Sequence, residues 1–256
     1  MTVEIFKEKY GYEIEGVWVP RVTAIISMAN GWYMLRNSNG FAARIGLQQA
    51  AEWGNITHET VENSLRGERK KIDAKIAIGI EAFEAWYEES LMNVLDPEND
   101  IEKRVYDMQN GYAGTIDIIA QVDGVLSVID LKTSTGIWRE HAVQTAAYIN
   151  AYNRTAGVKQ VCSKRWILRI DQYQECIGCL AKRREKYGRA RVAGGKEICN
   201  HQWSATRGEI EFKELKNYEK DIKRFFDLKD RWEWNNKEWL SKIPNYEKNI
   251  RQRVLL

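Results

Sequence analysis

Hydrophobic positions change period several times along this chain, and each change predicts an element. Residues 3–6 and 12–19 alternate or run apolar on either side of Tyr10-Gly11, the pattern of a short hairpin ending at Pro20. From Phe41 to Leu65 the apolar residues Phe41, Ile45, Leu47, Ala51, Ile56, Val61 and Leu65 recur at helical spacing, bounded by Gly40 and Gly67. A second helix is predicted over 72–91, and Asn30-Gly31 and 37–40 read as loops ahead of the first. The period then drops to two. Residues 102–109, 112–122 and 125–131 are strand-like runs separated by Asn110-Gly111 and Asp123-Gly124, which are strong hairpin signals, so a three-stranded antiparallel meander is expected. Helical spacing returns over 138–152. A strand over 162–170 follows, with 210–212 as its partner, and then a long polar helix over 214–239 carrying Phe225, Phe226, Leu228, Trp232, Trp234 and Trp239. No repeat or Ser- or Pro-rich linker divides the chain, which reads as one domain over 1–256.

The Asp123-Gly124 turn sets a register. A two-residue loop places Val122 against Val125 and, counting back, Asp117 opposite Asp130, with Cβ atoms roughly 4.5 to 5.5 Å apart. Like charges so placed repel, and one must take a proton unless a cation neutralises the pair. A divalent metal does so, and hard oxygen donors favour Mg²⁺ or Mn²⁺. Lys132, two residues beyond Asp130, shares its face. The same count about Asn110-Gly111 sets Glu102 opposite Ile119 and Arg104 opposite Asp117, which makes Glu102 a further candidate ligand; a bulge or slip would change both assignments. Taken alone, the two Asp fit equally well as solvent-facing residues with a surface Asp130–Lys132 pair. Their neighbours Ile116, Ile118, Ile119, Leu126, Val128 and Ile129 instead mark strands buried on both faces, where unpaired acids are costly.

Composition narrows the class. With 44% hydrophobic and 29% charged residues the chain is neither disordered nor collagen-like. No apolar stretch approaches the ~20 residues that span a bilayer, and MTVEIFKEKYGYEIEG lacks the apolar region of a signal peptide, so a cytosolic protein without a membrane partner is expected. Lys and Arg total 39 against 36 Asp and Glu, a net +3. That charge is concentrated. Lys182, Arg183, Arg184, Lys186, Arg189 and Arg191 face one acid, Glu185, so this stretch carries an excess of five and the rest of the chain is slightly acidic.

The basic stretch lies between two pairs of metal-ligand residues, Cys176-Ile177-Gly178-Cys179 and Cys199-Asn200-His201, whose donor set suits a tetrahedral Zn²⁺ site. Cys162 is in phase with Trp166, Leu168 and Ile170 and is assigned to the core. Residues 172–208 thus read as an inserted, metal-pinned basic finger. With Tyr187 inside it and Trp203 just after, it is expected to project beside the core and bind phosphates of DNA.

Gly114-Thr115-Ile116-Asp117, Asp130-Leu131-Lys132-Thr133 and Gln144-Thr145-Ala146-Ala147-Tyr148, preceded by Gly54-Asn55-Ile56-Thr57-His58, resemble the RecB-like branch of the PD-(D/E)XK nucleases: a G-x-x-D strand, a D-x-K strand, a Q-x-x-x-Y helix and an upstream helical His. The four elements occur in order over about 20–170. The resemblance implies an α/β fold, a mixed central sheet flanked by helices with a restriction-endonuclease-like core, here with a small zinc-finger-like insertion. It implies metal-dependent cleavage of DNA, with His58, Asp117, Asp130 and the Leu131 carbonyl holding Mg²⁺ or Mn²⁺. Lys132 would serve the attacking water and the phosphate, and Gln144 and Tyr148 would support the site, touch the strand or simply pack their helix. The branch leans toward exonucleases on single strands or DNA ends; an endonuclease within a larger complex and a DNA-binding zinc protein with a silent site are the alternatives. Some members carry an iron-sulfur cluster on a Cys upstream of the helical His plus three near the C-terminus. This chain has no Cys before Cys162, which favours zinc.

Overall fold

The computed structural model describes residues 1–28, 41–155, 160–186 and 188–248. The loops expected at Asn30-Gly31 and 37–40, and Tyr187, lie outside them. The fold is mixed α/β, a mixed central sheet flanked by helices.

The chain opens with a helix rather than a strand. Thr2 caps α1 (Val3–Tyr10), its Oγ1 accepting from the Ile5 amide at 3.3 Å, and Phe6 is fully buried. The hairpin shifts downstream to β1 (Gly11–Ile14) and β2 (Val17–Pro20), turned by Glu15-Gly16 with φ of 51° and 78°. Two successive positive φ values make a hairpin turn of the primed kind, which a Glu in first place disguises in the sequence. The short helix α2 (Val22–Ile26) leads away from it. The 25-residue helix α3 (Phe41–Leu65) has the expected bounds. Its successor α4 (Ala77–Glu89) starts later than expected, because Asp73 folds its own turn, accepting the Lys75 amide on Oδ1 at 3.0 Å.

After β3 (Met92–Asn93) and α5 (Pro97–Asp100) comes the meander of β4 (Ile101–Asp107), β5 (Tyr112–Val122) and β6 (Val125–Lys132). Helix α6 (Arg139–Arg154) crosses over to β7 (Lys164–Glu175), which lies parallel to β6, the one arrangement that needs such a crossover. Strands β8 (Lys182–Arg184), β9 (Arg191–Ala193) and β10 (Arg207–Glu214) follow. The main sheet runs β3-β5-β6-β7-β8-β9, with β4 also on β5 and β10 on β7. Pairing of β10 with β7 centres on Ile210 opposite Ile170. Strand β7 begins two residues after the expected start and runs five further, and Glu214 closes β10 rather than opening a helix. The last helix is divided at Asn236 into α7 (Tyr218–Asn235) and α8 (Lys237–Leu240).

Two apolar cores form among the described residues. One joins α1, α2, α6 and α7 to Tyr112, Ile116, Ile119, Leu126 and Val128; Phe225, Leu228 and Trp232 bury here, while Trp234 stays exposed. Cys162 sits in this core, and burial pushes its thiol up to about 12. The other core joins α3 and α4 to Ile118, Ala120, Ile129, Leu131, Leu168 and Ile170. No helix among the described residues is long and apolar enough to cross a membrane.

Candidate functional site

The β5–β6 ladder has the counted register, from Val122 opposite Val125 to Ile118 opposite Ile129. It then opens. Asp117 and Asp130 do not form the next pair; Asp117 Oδ2 turns across the gap and accepts the Leu131 amide at 2.7 Å. The β4–β5 register differs by two residues from the count, with Asp107 opposite Tyr112 and Arg104 opposite Thr115 rather than Asp117. The physical reason is Asp107. Its carboxylate caps a four-residue connection, accepting the Asn110 amide at 3.0 Å and the Asn110 side-chain amide at 2.6 Å. Because the slip is two, side chains keep their face. Glu102 then falls level with Asp117, between the pairs Ile101 with Ile118 and Lys103 with Ile116, rather than opposite Ile119.

Strand alternation breaks at this level. Ile116 and Ile118, two apart on β5, enter opposite cores, as do Val105 and Ile101 on β4. Glu102 takes a left-handed backbone with φ of 53°. The distortion lets acids from both strands converge with His58 of α3. Donor atoms of His58, Glu102 and Asp117 all lie within 4.8 Å of one another, His58 Nδ1 being 3.9 Å from Asp117 Oδ2. Ligands about 2.1 Å from one ion are spaced up to roughly 4.2 Å, so small side-chain adjustments suffice to share a cation. Glu62, one turn beyond His58 on α3, hydrogen-bonds Glu102 and pairs with Arg66 at 3.6 Å. Its i, i+4 spacing from His58 was the available sequence signal.

Asp130 lies beside this trio but not within it. It is fully buried; among the described residues its one ion-pair contact is Lys132, on Oδ2, and Oδ1 has no hydrogen-bond donor. Burial pushes Asp130 up to about 6 against the pull of Lys132, and raises Asp117 as well. Burial and the charges of Asp117 and Glu62 bring Glu102 to about 7. Burial, then Lys132, brings His58 down to about 4, and the Leu131 backbone hydrogen-bonds its ring. Lys132 is raised because Asp130 and Asp117 outweigh its burial. Acids that resist ionisation, beside a neutral imidazole, make up a site short of positive charge. A buried Asp130 oxygen without a donor among the described residues and a hard O/N donor set fit Mg²⁺ or Mn²⁺.

His58 and Lys132 line a cleft of about 700 Å³ with Thr133, Trp138, His141, Gln144 and Lys186. Gln144 Nε2 donates to the Tyr148 hydroxyl at 2.9 Å. Tyr148 itself is packing: its ring lies so close over β5 that a Cβ on Gly114 would sit 2.6 Å from Cε1. The G-x-x-D glycine and the Q-x-x-x-Y tyrosine are therefore two sides of one contact.

No family model matches the chain, and no curated protein matches it. The geometry of the motif residues stands by itself.

A second ligand group lies off the far end of β7. Cys176, Cys179, Cys199 and His201 bring their donor atoms within 4.8 Å of one another, with Cys176 Sγ 3.8 Å from Cys199 Sγ and Cys179 Sγ 3.4 Å from His201 Nδ1. Three thiols and an imidazole form a group able to hold a metal such as zinc. Opposing burial, hydrogen bonds from His201 and the Cys179 and Gly178 amides lower the Cys176 thiol. A lowered thiol is suited to ligation.

The basic stretch between these ligands does not project as a finger of free cations. Arg184 and Lys186 are buried on Asp171, Arg184 with Nε at 2.9 Å and Nη2 at 2.8 Å and Lys186 with Nζ at 3.4 Å from its carboxylate. Asp171 also accepts from Arg169 Nη1 at 3.0 Å, and sequence reasoning passed over both residues. Lys182 pairs with Glu209 at 3.3 Å and Arg183 with Glu185 at 2.8 Å, while Arg189 and Arg191 are exposed.

Proposed function

We propose that this chain is a divalent-metal-dependent deoxyribonuclease of the RecB-like PD-(D/E)XK type, with a restriction-endonuclease-like core, favouring single strands or DNA ends. One observation carries the reading: the donor atoms of His58, Glu102 and Asp117 converge beside a cleft lined by His58 and Lys132, next to a buried Asp130 whose one ion-pair contact among the described residues is Lys132. Such a cluster is unfavourable without a cation and is poised to take one. His58, Glu102, Asp117 and Asp130, with the neighbouring Leu131 backbone, would hold Mg²⁺ or Mn²⁺. The ion supplies Lewis-acid polarisation of a phosphoryl oxygen and a water of lowered pKa. Asp130 holds the Lys132 ammonium within the cleft, where it orients the attacking water and offsets charge on the phosphate. Asp117, through its bond to the Leu131 amide, fixes the end of β6 that carries both residues.

The Cys176, Cys179, Cys199 and His201 group is assigned to structural zinc. Of the basic stretch, the exposed Arg189 is the side chain best placed to meet DNA phosphates, because Arg184 and Lys186 are committed to Asp171. The test is cleavage of labelled single- and double-stranded DNA with Mg²⁺, Mn²⁺ or EDTA, beside Asp130→Ala. Metal-dependent loss of label that the substitution abolishes supports the enzyme. Binding without cleavage under every condition overturns it in favour of a silent site. Attack on circular single-stranded DNA would identify an endonuclease.

A further inference from the structure

We propose that the Cys/His module is a positioning arm of the cleft lined by His58 and Lys132, and that Lys186 is the residue through which it acts. Strand β7 lies beside β6 with Lys132 paired to Arg169. One pleat further along β7 is the buried carboxylate of Asp171, which gathers Arg169, Arg184 and Lys186. Arg184 and Lys186 both come from the segment between the two metal-ligand pairs. Lys186 also donates to the carbonyl oxygen of Thr133, the residue immediately after Asp130-Leu131-Lys132. A single buried ammonium therefore ties the module, β7 and the backbone leaving the D-x-K strand. Lys186 lines the cleft shared by His58, Lys132 and Gln144 as well as the adjoining cavity of about 610 Å³ around Asp171.

The module also meets the helix that carries His58. A Cβ on Gly188 would lie 2.2 Å from the Gln49 side-chain amide, and the Arg191 guanidinium approaches Gly46 so closely that a Cβ there would be 3.1 Å from Nη2. Both contacts fall on α3. The module thus touches the element bearing the cleft's imidazole and the strand end bearing its lysine. Strands β8 and β9 have only three residues each, too few to hold a hairpin without further support. Cys176, Cys179, Cys199 and His201 would hold a metal that gives that support, and Lys186 would carry the resulting order to Thr133. A shift of about 1 Å in a reacting group can cost on the order of 10²-fold in rate, so the link acts on turnover rather than on DNA affinity.

The test uses Lys186→Met, which keeps the aliphatic stem and removes the donor; Asp171 retains Arg169 and Arg184, so no charge is stranded. Hydrogen exchange over 131–135 is compared with exchange over the β5–β6 ladder at 118–129, which reports whether the sheet remains intact. The expected result is faster exchange confined to 131–135 in Lys186→Met. The same change is expected in Cys199→Ser, which removes a ligand without touching the cleft. In kinetic assays kcat falls about 10²-fold while KM for DNA changes less than about threefold. Only the kinetic arm rests on the nuclease reading. Unchanged exchange at 131–135 overturns the proposal whatever happens to cleavage, and so does a rise in KM with kcat intact, which would make Lys186 a substrate contact. If the wild-type chain cleaves nothing, the nuclease reading fails, and local exchange alone still decides the structural link.

Discussion

The two ligand groups are built on different foundations. The acids beside the cleft project from adjacent strands of a central sheet to meet His58 of a 25-residue helix, so the fold places the group before any cation arrives. All four ligands of the module, by contrast, lie outside the named strands, linked by strands of three residues. The first group is preorganised and electrostatically strained; the second has soft ligands able to hold a metal, and a metal there would order it. Removing metal should therefore leave the cleft folded with its carboxyls protonated or repelling, and should loosen the module.

Crossed substitutions give the largest contrast. Asp130→Ala is expected to lower cleavage by at least about 10³-fold while the Cys/His site keeps about one zinc per chain, read by metal analysis. Cys199→Ser should abolish the zinc content and lose exchange protection over 176–206, with the central strands still protected. A brown iron chromophore in purified wild-type protein would break the zinc half of the comparison.

A smaller effect comes from pH. Asp130 has a folded pKa of about 6, above its unfolded value of 3.8. Its contribution to stability is thus fully present below pH 3.8 and is lost as pH rises through 6. Divalent cations compete with that proton, as they do with the proton on Glu102, whose pKa is about 7. Mn²⁺ should raise the melting temperature at pH 7.5 and have little effect at pH 5; an equal rise at both would deny that the acids bind it.

Gly114→Ala probes the frame of the cleft. A Cβ 2.6 Å from the Tyr148 ring forces a shift, and overpacking of this kind costs about 1–3 kcal/mol, measurable by denaturant unfolding. Arg189→Ala should have the smallest consequence, weakening DNA binding a few-fold and reducing its salt slope by about one contact. If that slope is unchanged, the exposed part of the module does not meet phosphates.

Legibility followed the range of the interactions that decide each feature. The Asp123-Gly124 hairpin was countable because its register depends on two turn residues and strict alternation. Asn110-Gly111 misled by two because the Asp107 carboxylate, also bound to Asn150 of α6, enlarged the connection. The Cys/His group able to hold a metal was visible as spacing. Burial of Arg184 and Lys186 was not, since a run of bases reads as a solvated face until Asp171 of another strand is brought against it.

By itself, then, the sequence determined the helical and stranded periods, the Asp117, Asp130 and Lys132 grouping, the helical His58 and the Cys/His set, because turn chemistry and short spacings act locally. Tertiary structure decided that Glu102 rather than Asp130 completes the tight donor trio with His58 and Asp117. It also decided that Asp130 is left to Lys132, and that the basic stretch is largely an internal clamp. Those outcomes depend on how strands far apart in the chain distort and bury charge together, and no local pattern records that energy.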